Sequence, residues 1–73
     1  MYNAITKKGT EVIVYTTKDV EPNEGGLYCE INLANGDTPL DDFCIHPYDC
    51  DCSNDSAVEE YIKNYILSDE IDY

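Results

Sequence analysis

The stretch from Leu27 to Gly36, LYCEINLANG, most constrains what this chain can fold into. Leu27, Cys29, Ile31 and Leu33 alternate with Tyr28, Glu30 and Asn32. That period of two marks a strand with one apolar face and one wet face. Asn35-Gly36 follows directly, a pair that tolerates positive φ and signals a tight hairpin. A return strand is therefore expected from Thr38 or Leu40 to Ile45, with Phe43 and Ile45 turned inward.

A second hairpin is legible upstream. Tyr2–Thr6 and Thr10–Thr16 read as strands, the latter rich in β-branched and aromatic residues. Lys7-Lys8-Gly9 between them is short, and Gly9 is free to take positive φ. Val12 and Val14 are expected inward, with Ile13 and Tyr15 partly covered. Residues 18–26, KDVEPNEGG, carry Pro22, Asn23 and a Gly pair and read as a loop.

After Ile45 the period changes. Val58, Tyr61, Ile62, Tyr65 and Ile66 recur at three- and four-residue spacing, the stripe of an amphipathic helix. Ser56 with Glu59 fits a capping box, and the helix is expected to end near Leu67 or Ser68. The expected fold is α+β: an antiparallel sheet of two hairpins, about four strands, with one C-terminal helix packed on one face. Leu27, Cys29, Ile31, Leu33, Phe43, Ile45, Val58, Ile62 and Tyr65 should share the core. With 73 residues the chain has room for one domain, 1–73, with 67–73 as an acidic tail whose end frays. A domain of that size buries only about 60% of its unfolded surface, which disfavours a deep substrate cleft. The expectation is a non-enzymatic protein that works through its surface.

Charge sets the class of partner. Sixteen Asp and Glu face four Lys and no Arg, for a net charge of −12. Residues 1–36 hold five acids and three lysines; residues 37–73 hold eleven acids and one lysine. Neutralising phosphate requires Lys and Arg, so direct binding to nucleic acid or anionic lipid is excluded on this ground. A basic protein, including one that binds nucleic acid, or a divalent cation is favoured. An array of carboxylates can imitate nucleic-acid phosphates and occupy a basic groove. The candidates for that surface are Asp41, Asp42, Asp49, Asp51, Asp55, Glu59 and Glu60. Seven tyrosines add to it, because Tyr is enriched at interfaces. The N-terminal residues lack a basic region followed by an apolar one, and the longest aliphatic run is Val12-Ile13-Val14. Cytoplasmic residence and reduced thiols are the resulting expectations.

The alternatives are an accessory structural domain with no inhibitory role and two cation sites. Cys44, His46, Cys50 and Cys52 are ligand types that zinc uses, although each pair is separated by one residue where structural sites use two to four. Asp49, Asp51, Ser53, Asp55 and Glu60 stand at positions one, three, five, seven and twelve of a loop that resembles the calcium-binding EF-hand loop. Asn54 replaces the Gly of that loop, Ser56 replaces its aliphatic residue, and no helix precedes it. Cys50-Asp51-Cys52 is not a redox Cys-x-x-Cys motif, and its acids should raise the thiol pKa values.

Residues 27–66, with Leu27, Ile31, Leu33, Gly36 and the helix stripe, resemble small uncharacterised domains carried by phages and conjugative elements. In size and charge the chain is similar to small acidic anti-CRISPR and anti-restriction proteins, several of which mimic nucleic acid. This resemblance implies an inhibitory binding module of a phage or mobile element.

Overall fold

The computed structural model describes residues 1–18, 25–36 and 38–73. The loop expected at 18–26 thus lies largely outside the described residues. Four strands, β1 (Tyr2–Ile5), β2 (Glu11–Lys18), β3 (Leu27–Leu33) and β4 (Pro39–Ile45), precede one helix, α1 (Asp55–Ile66). The strands form one antiparallel sheet in sequence order, β1-β2-β3-β4, so β1 and β4 are its edges. The α+β class and the four-strand sheet follow the sequence expectation.

Register explains the burial. Val12 sits opposite Ala4 and Leu33; Val14 opposite Tyr2 and Ile31; Cys29 opposite Thr16 and Phe43; Leu27 opposite Ile45. These residues share one face. Val12, Val14, Cys29, Ile31 and Ile45 join Val58, Ile62, Ile66 and Ile71 in one buried cluster. Leu27, Phe43 and Tyr65 are half-buried against it, and Leu33 is half-buried. Burying each of the fully enclosed aliphatic side chains is worth about 1.5–3 kcal/mol before chain entropy is counted.

The two turns differ from one another. In the first, Thr6 donates its N–H to the Thr10 carbonyl at 2.9 Å, and the Gly9 N–H reaches the Thr6 carbonyl at 3.0 Å. Gly9 takes φ +85°, as expected of it. The second turn is not the tight one that Asn35-Gly36 suggested. Neither residue has positive φ, and Leu33 N–H bonds the Thr38 carbonyl at 3.0 Å across a longer connection. The reason is a register shift at Ile31/Asn32: Ile31 pairs with Asp41, yet Asn32 pairs with Pro39, which leaves Leu40 as the extra residue of a bulge. Asn32, expected on the wet face, is 5% exposed there and donates its side-chain amide to Glu30 Oε1 at 3.1 Å.

The helix cap also differs. Asn54, not Ser56, is the N-cap: its side-chain oxygen accepts the N–H groups of Ser56 and Ala57 at 3.0 and 3.2 Å. The helix therefore starts earlier, and Glu59 is used in an i,i+4 ion pair with Lys63 at 3.0 Å rather than in a capping box. Leu67 caps the C-terminal end. Beyond it the chain turns back onto the core. Ile71 is 6% exposed and belongs to the core, and Tyr73 packs against it. Lys7 pairs with Asp69, and Lys8 with Asp72 at 2.9 Å, so the first turn holds the tail at both ends of Ile71. Among the described residues, no helix is long and apolar enough to cross a membrane.

Candidate functional surface

The acids singled out in the sequence lie on three consecutive pieces of chain: edge strand β4, the connection from His46 to Asn54, and the start of α1. All seven are exposed. They are not equally loose. Asp41 Oδ1 accepts the Asp42 N–H at 2.8 Å. Asp42 Oδ2 accepts the Tyr28 hydroxyl at 2.8 Å, reaching across from β3. Asp49 Oδ2 accepts the His46 N–H at 3.1 Å, while the Asp49 N–H returns to the His46 carbonyl at 2.9 Å. Asp51 Oδ1 accepts both the Ser53 N–H at 3.1 Å and the Ser53 hydroxyl at 2.6 Å.

The bonds of Asp41, Asp49 and Asp51 to backbone N–H groups are local loops of the kind Asp makes in turns, whereas that of Asp42 is a side-chain bond across two strands. They fix four carboxylates in direction. Hydrogen bonding from Ser53 holds the Asp51 carboxyl below the usual carboxylate range. The Asp42 bond in turn raises the Tyr28 hydroxyl above its ordinary value, with burial a smaller cause. Among the described residues, the lysine–carboxylate ion pairs are Lys7–Asp69, Lys8–Asp72 and Lys63–Glu59. Of the seven candidate acids only Glu59 is in one, so the others keep their charge uncompensated by lysine.

Tyrosines border this array. Tyr28 is 37% exposed on the sheet face away from the core, and Tyr48 is 81% exposed and stacks on His46 with centroids 5.1 Å apart. Sequence reading placed Tyr28 on the wet face but did not reveal its bond to Asp42. That pairing depends on register, because Tyr28 lies opposite Cys44 and reaches diagonally to Asp42.

The two candidate cation sites are not assembled. Among the described residues, no three His, Cys, Asp or Glu side chains converge to hold a metal ion. Cys44 is exposed on the sheet face opposite the core. Cys52 turns the other way, its thiol 3.9 Å from the Ile45 and His46 carbonyls, and Cys50 is half-buried against the core. In the EF-hand-like loop, Asp51 is turned onto Ser53 and Asp55 has become the first helical residue. The four cysteines carry no disulfide. Burial pushes the Cys29 thiol up to about 12 and also raises Cys52, so neither is a thiolate at neutral pH. Compared with known protein families, with curated proteins and with solved structures, the chain matches none.

Proposed function

We propose that this chain is a non-enzymatic protein-binding module whose acidic edge docks on a basic partner. The observation that carries the reading is the fixed direction of Asp41, Asp42, Asp49 and Asp51, each held by a hydrogen bond from a neighbouring donor. A preorganised array loses little side-chain entropy on binding. Its unneutralised charge steers a cationic partner toward it. Tyr28 and Tyr48 supply rigid amphipathic contact area beside the charges. Fixed anions on edge strand β4 and on the connection after it suit a groove built for phosphates, so the partner is a nucleic-acid-binding protein and the effect is to block access. Such an inhibitor fits a phage or mobile element acting in the cytoplasm of a bacterial cell. The shared buried cluster of sheet and helix supports a further part of the reading: α1 covers one face of the sheet and leaves the Tyr28 face for the partner.

The test is a variant with Asp41, Asp42, Asp49 and Asp51 all replaced by Asn, which keeps an acceptor oxygen at each position and removes the charge. Immobilised wild-type protein is challenged with bacterial nucleic-acid-binding proteins. The expected partner competes with duplex DNA, and its on-rate falls steeply as ionic strength passes about 0.1 M, where the Debye length is about 10 Å. The variant should fold alike and lose that binding. A partner that the variant retains, or that ignores both DNA and salt, overturns the reading.

A further inference from the structure

The two edges of the sheet are built differently. The β4 edge carries the standard protections against pairing with another strand: Pro39, the charges of Asp41 and Asp42, and the bulge at Leu40. The β1 edge, Tyr-Asn-Ala-Ile, has no charge, no proline and no bulge. Among the described residues, the exposed large aliphatic side chains also gather there. Met1 is 72% exposed, Ile5 56%, and Leu67 49%, and Leu67 shares a surface groove with Asn3, Ala4, Ile5 and Lys63.

The hydrogen-bonding groups of β1 can be assigned from its ladder. Thr6 donates to Thr10, so these two form a hydrogen-bonded pair. Pairs alternate along an antiparallel ladder. Ala4 and Tyr2 therefore bond to Val12 and Val14, while Asn3 and Ile5 lie in non-bonded pairs with Ile13 and Glu11. The backbone N–H and C=O of Asn3 and Ile5 consequently point away from β2, along with those of Met1.

From this we infer that β1 is a self-association edge, at which a second copy of the chain adds its own β1 antiparallel to form a continuous eight-stranded sheet. A two-fold axis normal to the sheet keeps the faces matched, so partners must have the same parity. The register that uses all outward-pointing groups pairs Asn3 with Asn3 of the copy, and Met1 with Ile5 on each side. That register gives six backbone hydrogen bonds. It also places the exposed Met1 side chain against the exposed Ile5 side chain, twice.

Charge permits this edge and forbids the other. The acids Asp41 and Asp42 lie three strands away, about 14 Å at ordinary strand spacing. That exceeds the Debye length of about 8 Å at physiological salt. Nearer to β1, Asp69, Asp72 and Glu59 are paired with Lys7, Lys8 and Lys63, so that Glu11, opposite Ile5 on β2, and Asp55, near Tyr2, are the acids there without a lysine partner among the described ion pairs. The dimer keeps both acidic β4 edges at its outer ends. A four-residue strand buries little area, so the association is of modest affinity.

Sedimentation equilibrium of the full chain from micromolar to millimolar concentration tests this. Wild-type protein should move toward twice the chain mass. Asn3→Pro removes a donor aimed at the copy and none aimed at β2, so it should abolish the shift and leave the circular dichroism spectrum unchanged. Asn3→Cys provides an arm that does not depend on tolerance of proline. On mild oxidation, peptide mapping should find the two introduced thiols joined across the axis. Wild-type protein that stays monomeric throughout, an Asn3→Pro variant that folds and still dimerises, or no link between the introduced thiols would overturn the inference.

Discussion

Phe43 of β4 and Tyr65 of α1 stack with ring centroids 4.0 Å apart and planes 17° from parallel. This ties the edge strand that carries Asp41 and Asp42 to the last turns of the helix. Stacked aromatic pairs contribute about 0.5–1.5 kcal/mol beyond the area they bury. A double-mutant cycle with Phe43→Leu and Tyr65→Leu, followed by urea unfolding, should return a coupling of that size. A coupling near zero would mean that the two rings are neighbours without mutual stabilisation. Leu at either site keeps apolar volume, so both single variants should fold.

The start of α1 departs from the capping box that the sequence suggested. If Asn54 is the cap, Asn54→Ala should cost about 1 kcal/mol, because the N–H groups of Ser56 and Ala57 lose their acceptor. Ser56→Ala should change stability by only a few tenths, since an exposed residue of the first turn then loses no acceptor role. Chemical unfolding of the two variants side by side decides it. The reverse order of effects would restore Ser56 as the cap.

Much of the fold could be read from side-chain period alone. The alternation from Leu27 to Leu33 placed Cys29 and Ile31 inside, and the three-four spacing placed Val58 and Ile62 there too. What escaped depends on contacts distant in sequence. Ile71 sits in an acidic run that looks like a solvated tail. It is held by ion pairs joining residues 62 and 64 positions apart, which no local pattern encodes. The bulge at Leu40 escaped for a related reason: Asn35-Gly36 favours a tight turn, and the pairing of Asn32 with Pro39 overrides it. For the candidate surface, composition located the acids. It could not show which are oriented, since that depends on short-range bonds such as Ser53 to Asp51 and on the reach of Tyr28 to Asp42.

The last prediction concerns alkaline pH. Cys29 is fully buried, and burial is the largest cause raising its thiol to about 12, with the charges of the other cysteines adding to it. In the unfolded chain a cysteine ionises near 8.5. A folded pKa above the unfolded one means that this contribution is complete below about pH 8.5 and is lost as pH rises toward 12. In that window the unfolded state releases a proton that the folded state keeps, and stability falls by about 1.4 kcal/mol per pH unit from this group. Tyr2, Tyr61, Tyr65 and Tyr73 are also raised, chiefly by burial, but they begin to matter only near pH 10. Cys52 is raised in the same direction and shares the interval between pH 8.5 and 10, so the Cys29 contribution there is read as the difference between a variant and the wild type. Cys29→Ala should flatten the loss in that interval when unfolding free energy is measured by urea titration under reducing conditions. Its stability at pH 7 should drop by about 1 kcal/mol, because the side chain is small and the cavity slight. An equal slope in the variant and the wild type would show that Cys29 does not govern the alkaline limb.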